Sequence, residues 1–227
     1  MSTSINVKIQ NAWKTVIKGY KKSNGTWVPL DSMSPKVEGE LKYISFGSEY
    51  SRGLEYTLSS NGVYYEVSGI GRCKDVDIKI PPEHNNKPVR VIKSNAFART
   101  NIESIEFSSI VEIEDGEKGH GAFEGCYYLT RVSLSNCLEK IGHNAFAHCR
   151  NLAEIFIPYS VTEIGISAFR DCIRLSEVNF DDDSLLRSIG GGAFWGCTRL
   201  RSFVIPNEVT HLGGEHEEAD YGVFYNC

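Results

Sequence analysis

A chain of 227 residues, 41% hydrophobic and 23% charged, has room for one or two domains and enough apolar content to bury a core, which excludes disorder of the whole chain. Its net charge of −5 is uneven: residues 1–50 hold seven Lys and four acids (+3), and the rest holds seventeen Lys/Arg and twenty-five acids (−8). An acidic second part without clustered basic residues argues against nucleic acid as partner, because phosphate binding rests on Lys/Arg releasing condensed counterions, and no stretch approaches the ~20 consecutive apolar residues of a membrane-crossing helix, so no membrane insertion is expected.

The opening residues MSTSINVKIQ lack the apolar segment of a signal peptide. The chain as it stands is therefore expected in the cytoplasm, and at a cell surface or in a virion if it belongs to a longer protein. Residues 7–16 (VKIQNAWKTV) and 21–30 (KKSNGTWVPL) resemble one another, with Trp13 and Trp27 fourteen residues apart. Two aromatic strands joined by a turn predict a small β-hairpin module within residues 1–50. Similar Asn-Gly-x-Trp segments occur in phage tail and other modular surface proteins. The module reads either as a tag that packs its own tryptophans or as a joining piece, and DSMSPKVEGE after it reads as a linker.

From residue 51 the chain repeats. An Ala-Phe pair stands at Ala96-Phe97, Ala122-Phe123, Ala145-Phe146, Ala168-Phe169 and Ala193-Phe194, with Val223-Phe224 as a variant, at spacings of 26, 23, 23, 25 and 30. Three residues after Phe comes a cysteine (Cys126, Cys149, Cys172, Cys197, Cys227), replaced in the first copy by Thr100. Leu129, Leu152, Leu175 or Leu200 follows, with Ile102 one residue early. Two apolar residues then alternate with a free position: Ile105/Phe107, Val132/Leu134, Ile155/Ile157, Val178/Phe180 and Phe203/Ile205. That alternation predicts a short strand in each copy. A turn follows, at Pro158 or Pro206 in two copies, and then a second apolar pair such as Val161/Ile164 or Val209/Leu212. One such unit cannot bury its apolar side alone, so neighbours must stack strand beside strand.

The pattern F-x-x-C-x-x-L-x-x-[VI]-x-[IFL], with I-P-x-x-V-T-x-I-G before the next A-F, resembles the BspA-like (Treponema-type) leucine-rich repeats of bacterial surface proteins. The clearest copy is AFAHCRNLAEIFIPYSVTEIGISA, residues 145–168. The resemblance implies an α/β-type, mostly β repeat fold: a curved leucine-rich-repeat solenoid with a parallel β-sheet on its concave face. It also implies an N-terminal hairpin cap at 53–72, about six repeats through residue 227, and a role in binding or adhesion without a reaction.

Chemistry-bearing residues read as structural. Five cysteines recur at one repeat position, so stacking sets them in an interior row, where a buried thiol fills space and donates weakly to loop carbonyls. Cys137, His143, His148 and Cys149 form the densest Cys/His group but lack the tight spacing of a zinc site. Asp181, Asp182 and Asp183 lack the spacing of a calcium loop, and residues 213–222, with His216 among acids, read as a long polar loop. Gly190-Gly191-Gly192 has no Lys-Ser/Thr after it to cradle a phosphate, and no Gly-x-Ser-x-Gly elbow is present. No metal, no cofactor and no enzyme activity are expected.

With the apolar strand positions inward, the residues between them face outward. They are Glu106, Ser133, Phe156, Asn179 and Val204, joined by Ser104, Arg131, Glu154, Glu177 and Ser202 two places earlier. These two ladders form the expected contact surface for a protein or glycan receptor; Phe156 reads either as its foremost contact residue, because an outward aromatic is costly to leave in water, or as an exposed apolar residue resting on Val204, Arg131 or a neighbouring loop. Two other readings stand beside it: an intracellular structural scaffold, and an enzyme with its site in the insertion loops. Because the chain stops at Cys227 where a further rung is due, either a longer native chain or edge-to-edge self-association is expected.

Overall fold

The computed structural model describes residues 50–117, 119–213 and 222–227, together with four strands among the first 49 residues. Two compact units are present, Met1–Glu49 and Tyr50–Cys227. In the first, β1 (Ser4–Ile9) pairs antiparallel with β2 (Ala12–Ile17), and β3 (Tyr20–Ser23) with β4 (Thr26–Pro29). Each tryptophan segment is thus split between two strands rather than forming one strand of a single pair. In the sequence Asn24-Gly25 stands between β3 and β4, and Asn-Gly is a dipeptide that favours a two-residue hairpin connection. The predicted linker, residues 31–40, lies outside the described residues.

The second unit opens with an antiparallel hairpin of β5 (Glu55–Leu58) and β6 (Tyr65–Gly69). Next come β7 (Asp77–Ile80), β8 (Glu83–His84) and β9 (Lys87–Ile92). Asn85 and Asn86, at φ 47° and 60°, supply the two left-handed residues that join β8 to β9. From here each rung contributes two strands. The longer ones are β10 (Ser104–Phe107), β12 (Arg131–Ser133), β14 (Glu154–Ile157) and β16 (Glu177–Phe180), and the two-residue ones are β11 (Glu112–Ile113), β13 (Lys140–Ile141), β15 (Glu163–Ile164), β17 (Ser188–Ile189) and β18 (His211–Leu212).

All of these rung strands pair in parallel. The short strands run unbroken from β9 through β11, β13, β15 and β17 to β18, and β6 and β5 extend the sheet at its start. The longer strands form a second ladder, β7-β10-β12, interrupted before β14-β16. Inward residues of both ladders share one core: Ile78, Ile105 and Ile155 from one, Ile113, Ile141, Ile164 and Ile189 from the other, all almost fully buried. This is the stacked parallel solenoid expected from the repeat.

The third side of each rung is a tight turn holding the Ala-Phe pair. Residues before Ala (Asn95, Asn144, Ser167, Gly192) and before the cysteine position (Arg99, Gly125, His148, Asp171, Gly196, Asn226) have positive φ. A left-handed residue at each end stops the turn from propagating as a helix, and no helix occurs among the described residues. The N–H of each Phe donates to the carbonyl of the next rung's Ala, at 2.7–2.8 Å for Phe97, Phe123, Phe146 and Phe169. Their rings stack in a column through Phe194, with centroids 4.9–5.3 Å apart and planes within 6°. The glycine of Ile-Gly answers a close approach between rungs: a Cβ on Gly142 would stand 2.3 Å from the Glu114 carbonyl oxygen, and one on Gly165 would stand 2.6 Å from the His143 nitrogen.

The last rung departs from the prediction. Phe203 and Ile205 form no strand, Ile205 and Leu212 are exposed, and Val204 stands in an irregular segment rather than on a strand. Preceding rungs hold Ile or Val where this one holds Phe203. The larger ring turns into a terminal aromatic cluster, with centroids 5.5 Å from Phe180, 5.0 Å from Phe194 and 4.8 Å from Phe224. Cys227, expected in the interior row, is exposed for the same end-of-stack reason, although its Sγ keeps the bond of that row.

Candidate functional site: a groove on the longer-strand face

Alternation places Ile78, Ile105, Ile155 and Val178 inward, and their neighbours therefore outward. Parallel register lines the outward residues up. Asp77, Ser104 and Arg131 stand side by side on β7, β10 and β12, as do Lys79, Glu106 and Ser133. On the second pair of strands Glu154 faces Glu177 and Phe156 faces Asn179. The ladders begin one strand earlier than the predicted set, because Asp77 and Lys79 belong to them. The alternating Asp-Ile-Lys-Ile of β7 carried that signal.

Where the ladder is interrupted between β12 and β14, a shallow groove of about 460 Å³ opens. Among its lining residues are Glu106, Arg131, Ser133, Glu154, Phe156 and Asn179. Val204 lies apart, in a second hollow at the end rung with Asp181, Asp182, Asp183 and Leu185. Glu177 and Ser202 line neither hollow.

The two sides of the groove differ in charge. Arg131 reaches across β10 to Asp77 at 3.1 Å, Ser104 Oγ donates to the same carboxylate, and Lys79 meets Glu106 at 3.2 Å. These pairs are well exposed and add little stability, but they neutralise that side. Glu154 and Glu177, one strand spacing apart, form no ion pair among the described residues, which leaves local negative charge beside Phe156. Phe156 itself is 48% exposed. The arrangement can receive an apolar group on Phe156 and a cation at the glutamates.

The other singled-out residues are engaged elsewhere. Cys149 Sγ donates to the Phe123 carbonyl at 3.2 Å, His148 faces Asp171 at 3.4 Å, and His143 faces Asp115 at 3.7 Å. Asp181 accepts a hydrogen bond from the Tyr159 N–H at 2.8 Å, a turn clasp between rungs. Gly190 closes on the backbone of Ile166, as part of the repeat. Residues 214–221, with His216, lie outside the described residues.

Comparison with known proteins gives one matching family model, the BspA type leucine rich repeat region, in six copies over residues 77–118 and 90–227. Among solved structures the chain is similar to a leucine-rich-repeat protein of T. pallidum, at 25% identity and TM-score 0.55, over 71% of this chain and 83% of that one. It is also similar in fold to the pneumococcal vaccine antigen PcpA, at 24% identity and TM-score 0.59, over 76% of this chain and 46% of that one. No curated protein matches the sequence.

Proposed function

Since the chain belongs to the BspA-type leucine-rich-repeat family, we propose that it is a non-catalytic recognition protein whose groove on the longer-strand face binds a receptor protein. The observation that carries this reading is Phe156, an aromatic side chain about half exposed in the lining of a groove, on the strand pair that carries Glu154 and Glu177, which form no ion pair among the described residues. A buried aromatic anchor at the centre of an interface is where binding energy concentrates. The glutamates select for a receptor surface that sets Lys or Arg next to an apolar side chain, and charge of this kind governs specificity and association rate. The family's association with bacterial surface proteins supports action at a cell surface, with residues 1–49 as the joining piece.

The test is binding of the wild-type chain and of F156A and E177K variants to an array of host-surface proteins. F156A is expected to weaken a genuine hit by at least about 2 kcal/mol, roughly thirtyfold, and E177K to slow association. A hit that both variants retain, with folding intact, would place the receptor site elsewhere. No hit by any of the three would favour a structural spacer.

A further inference from the structure

Stacking builds a second surface on another edge of the solenoid. The loop after each cysteine position leads into the next strand, and in two of the neighbouring loop pairs a side chain of one loop bonds the backbone of the other. Asn151 Nδ2 donates to the Tyr127 carbonyl at 2.6 Å, and Thr198 Oγ1 to the Ile173 carbonyl at 3.4 Å. Along the loops stand Tyr127 and Tyr128 on one rung, then Arg150, Arg174 and Arg199 on the next three, all exposed, and the two residues after each cysteine from Cys126 to Cys197 include no carboxylate.

Among the described residues none of these three guanidinium groups is in an ion pair, although acids outnumber bases in this unit. Tyr127 and Tyr128 are 48% and 57% exposed, and the Arg150 guanidinium lies 5.4 Å from the Tyr127 ring centre, which orients both. The outcome is a set of three exposed cations on successive rungs, Arg150 one place after its cysteine and Arg174 and Arg199 two places after theirs, beside two exposed aromatic rings.

From this set we infer that the cysteine-loop edge binds a linear anionic polysaccharide, its chain running along the stacking direction. A linear chain lying along the stacking direction would pass Arg150, Arg174 and Arg199 in turn, so that its acidic groups can each find a guanidinium within reach. Arginine forks suit carboxylate and sulfate groups, and the apolar faces of pyranose rings suit exposed tyrosines. This edge is separate from the Phe156 groove, so either proposal can fail alone.

The experiment measures binding of the full chain to defined sulfated oligosaccharides and to polyuronate oligosaccharides by calorimetry. Neutral dextran, polyglutamate and single-stranded DNA serve as comparators. Binding of a sulfated or a uronate glycan, but not dextran, is expected. The R150Q/R174Q/R199Q variant should lose affinity by about tenfold or more, and its slope of log affinity against log salt should fall by about two to three. An R52Q/R72Q/K74Q variant, which removes the same charge from the N-terminal cap, should bind as the wild type does. Y127A/Y128A should weaken glycan binding and leave the salt slope unchanged. The inference is overturned if the wild type binds neither class of glycan, if the cap variant loses as much as the edge variant, or if polyglutamate or DNA binds as tightly as the glycan.

Discussion

The cysteines show how a reactive side chain becomes inert filler. Cys126, Cys149, Cys172 and Cys197 each donate Sγ–H to the carbonyl of the preceding rung's Phe at 3.0–3.2 Å, and all four are buried. Burial pushes the Cys126 thiol up to about 11 and raises Cys149, Cys172 and Cys197 as well. The thiolate is the nucleophile, so these four are expected to resist an aromatic disulfide reagent in the native protein at neutral pH. Cys137 and Cys227, both exposed, should react first, with Cys73 slower. Counting released chromophore before and after denaturant checks this, and rapid native labelling of Cys149 would contradict the buried row. Thr100, at the start of the row, bonds within its own rung instead, from Oγ1 to the Phe97 carbonyl at 2.7 Å. The interior row was legible because one residue type recurs at one spacing. The left-handed positions beside it were not, since Asn, Arg, Ser, His, Asp and Gly share the same backbone shape without sharing a letter.

Between elements, ion pairs stitch neighbouring rungs on the short-strand side. Lys93 meets Glu114 at 2.7 Å, and Lys140 meets Asp115. Partial burial alone would raise both carboxyls, but it is outweighed: hydrogen bonds from Lys93 and the Ser94 N–H hold Glu114 below its usual range, and those from Lys140 and the His143 N–H do so for Asp115. A carboxyl lowered on folding stabilises the fold above its unfolded pKa, and that contribution is lost as pH falls through the folded value. Lys93 is raised, chiefly by the Glu114 hydrogen bond, and Lys140 is raised despite burial, by Asp115. Their contribution is present below the unfolded lysine pKa and is lost as pH rises through the folded one. Stability is therefore expected to plateau near neutral pH, to fall below about pH 4 and to fall again above about pH 10. Urea midpoints measured across pH check the shape. E114Q and D115N should flatten the acid limb, and an unchanged acid limb in both would assign it to other carboxyls. These pairs join residues about twenty to twenty-five positions apart, so only the rung register brings them together.

At the scale of the molecule, the column of phenylalanine rings from Phe97 to Phe194 couples each rung to its neighbours, and the stacked unit is expected to unfold cooperatively. Each ring contacts the rung before and the rung after, and a solenoid's stability is a sum of rungs and the interfaces between them. Phe146 is fully buried between Phe123 and Phe169. Phe146→Ala is expected to cost about 3–5 kcal/mol and to lower the unfolding midpoint of the whole unit in one transition. Phe224→Ala, at the partly open end, should cost less. Chemical denaturation followed by fluorescence and far-ultraviolet dichroism distinguishes these outcomes: a local loss confined to one probe would mean that the rungs unfold independently. The same stacking sorts charge over the surface. Arginines scattered singly through the sequence, Arg150, Arg174 and Arg199, come to stand in the loops of successive rungs, which explains why a search for clustered basic residues along the chain does not find them.

Period and alternation determined the rung count, the inward and outward residues of β10, β14 and β16, and the cysteine and phenylalanine rows, because each depends on residues within one repeat meeting their copies at a constant spacing. The interruption between β12 and β14, the groove it opens around Phe156, the collapse of the Phe203 segment into an aromatic cluster and the two hairpins of the first unit were decided by tertiary structure. These features turn on how well a particular rung fits the one beside it, and on which turn closes which pair of strands. Ring volume, strand register and exposed ends set that fit, and none of them is a property of a single repeat.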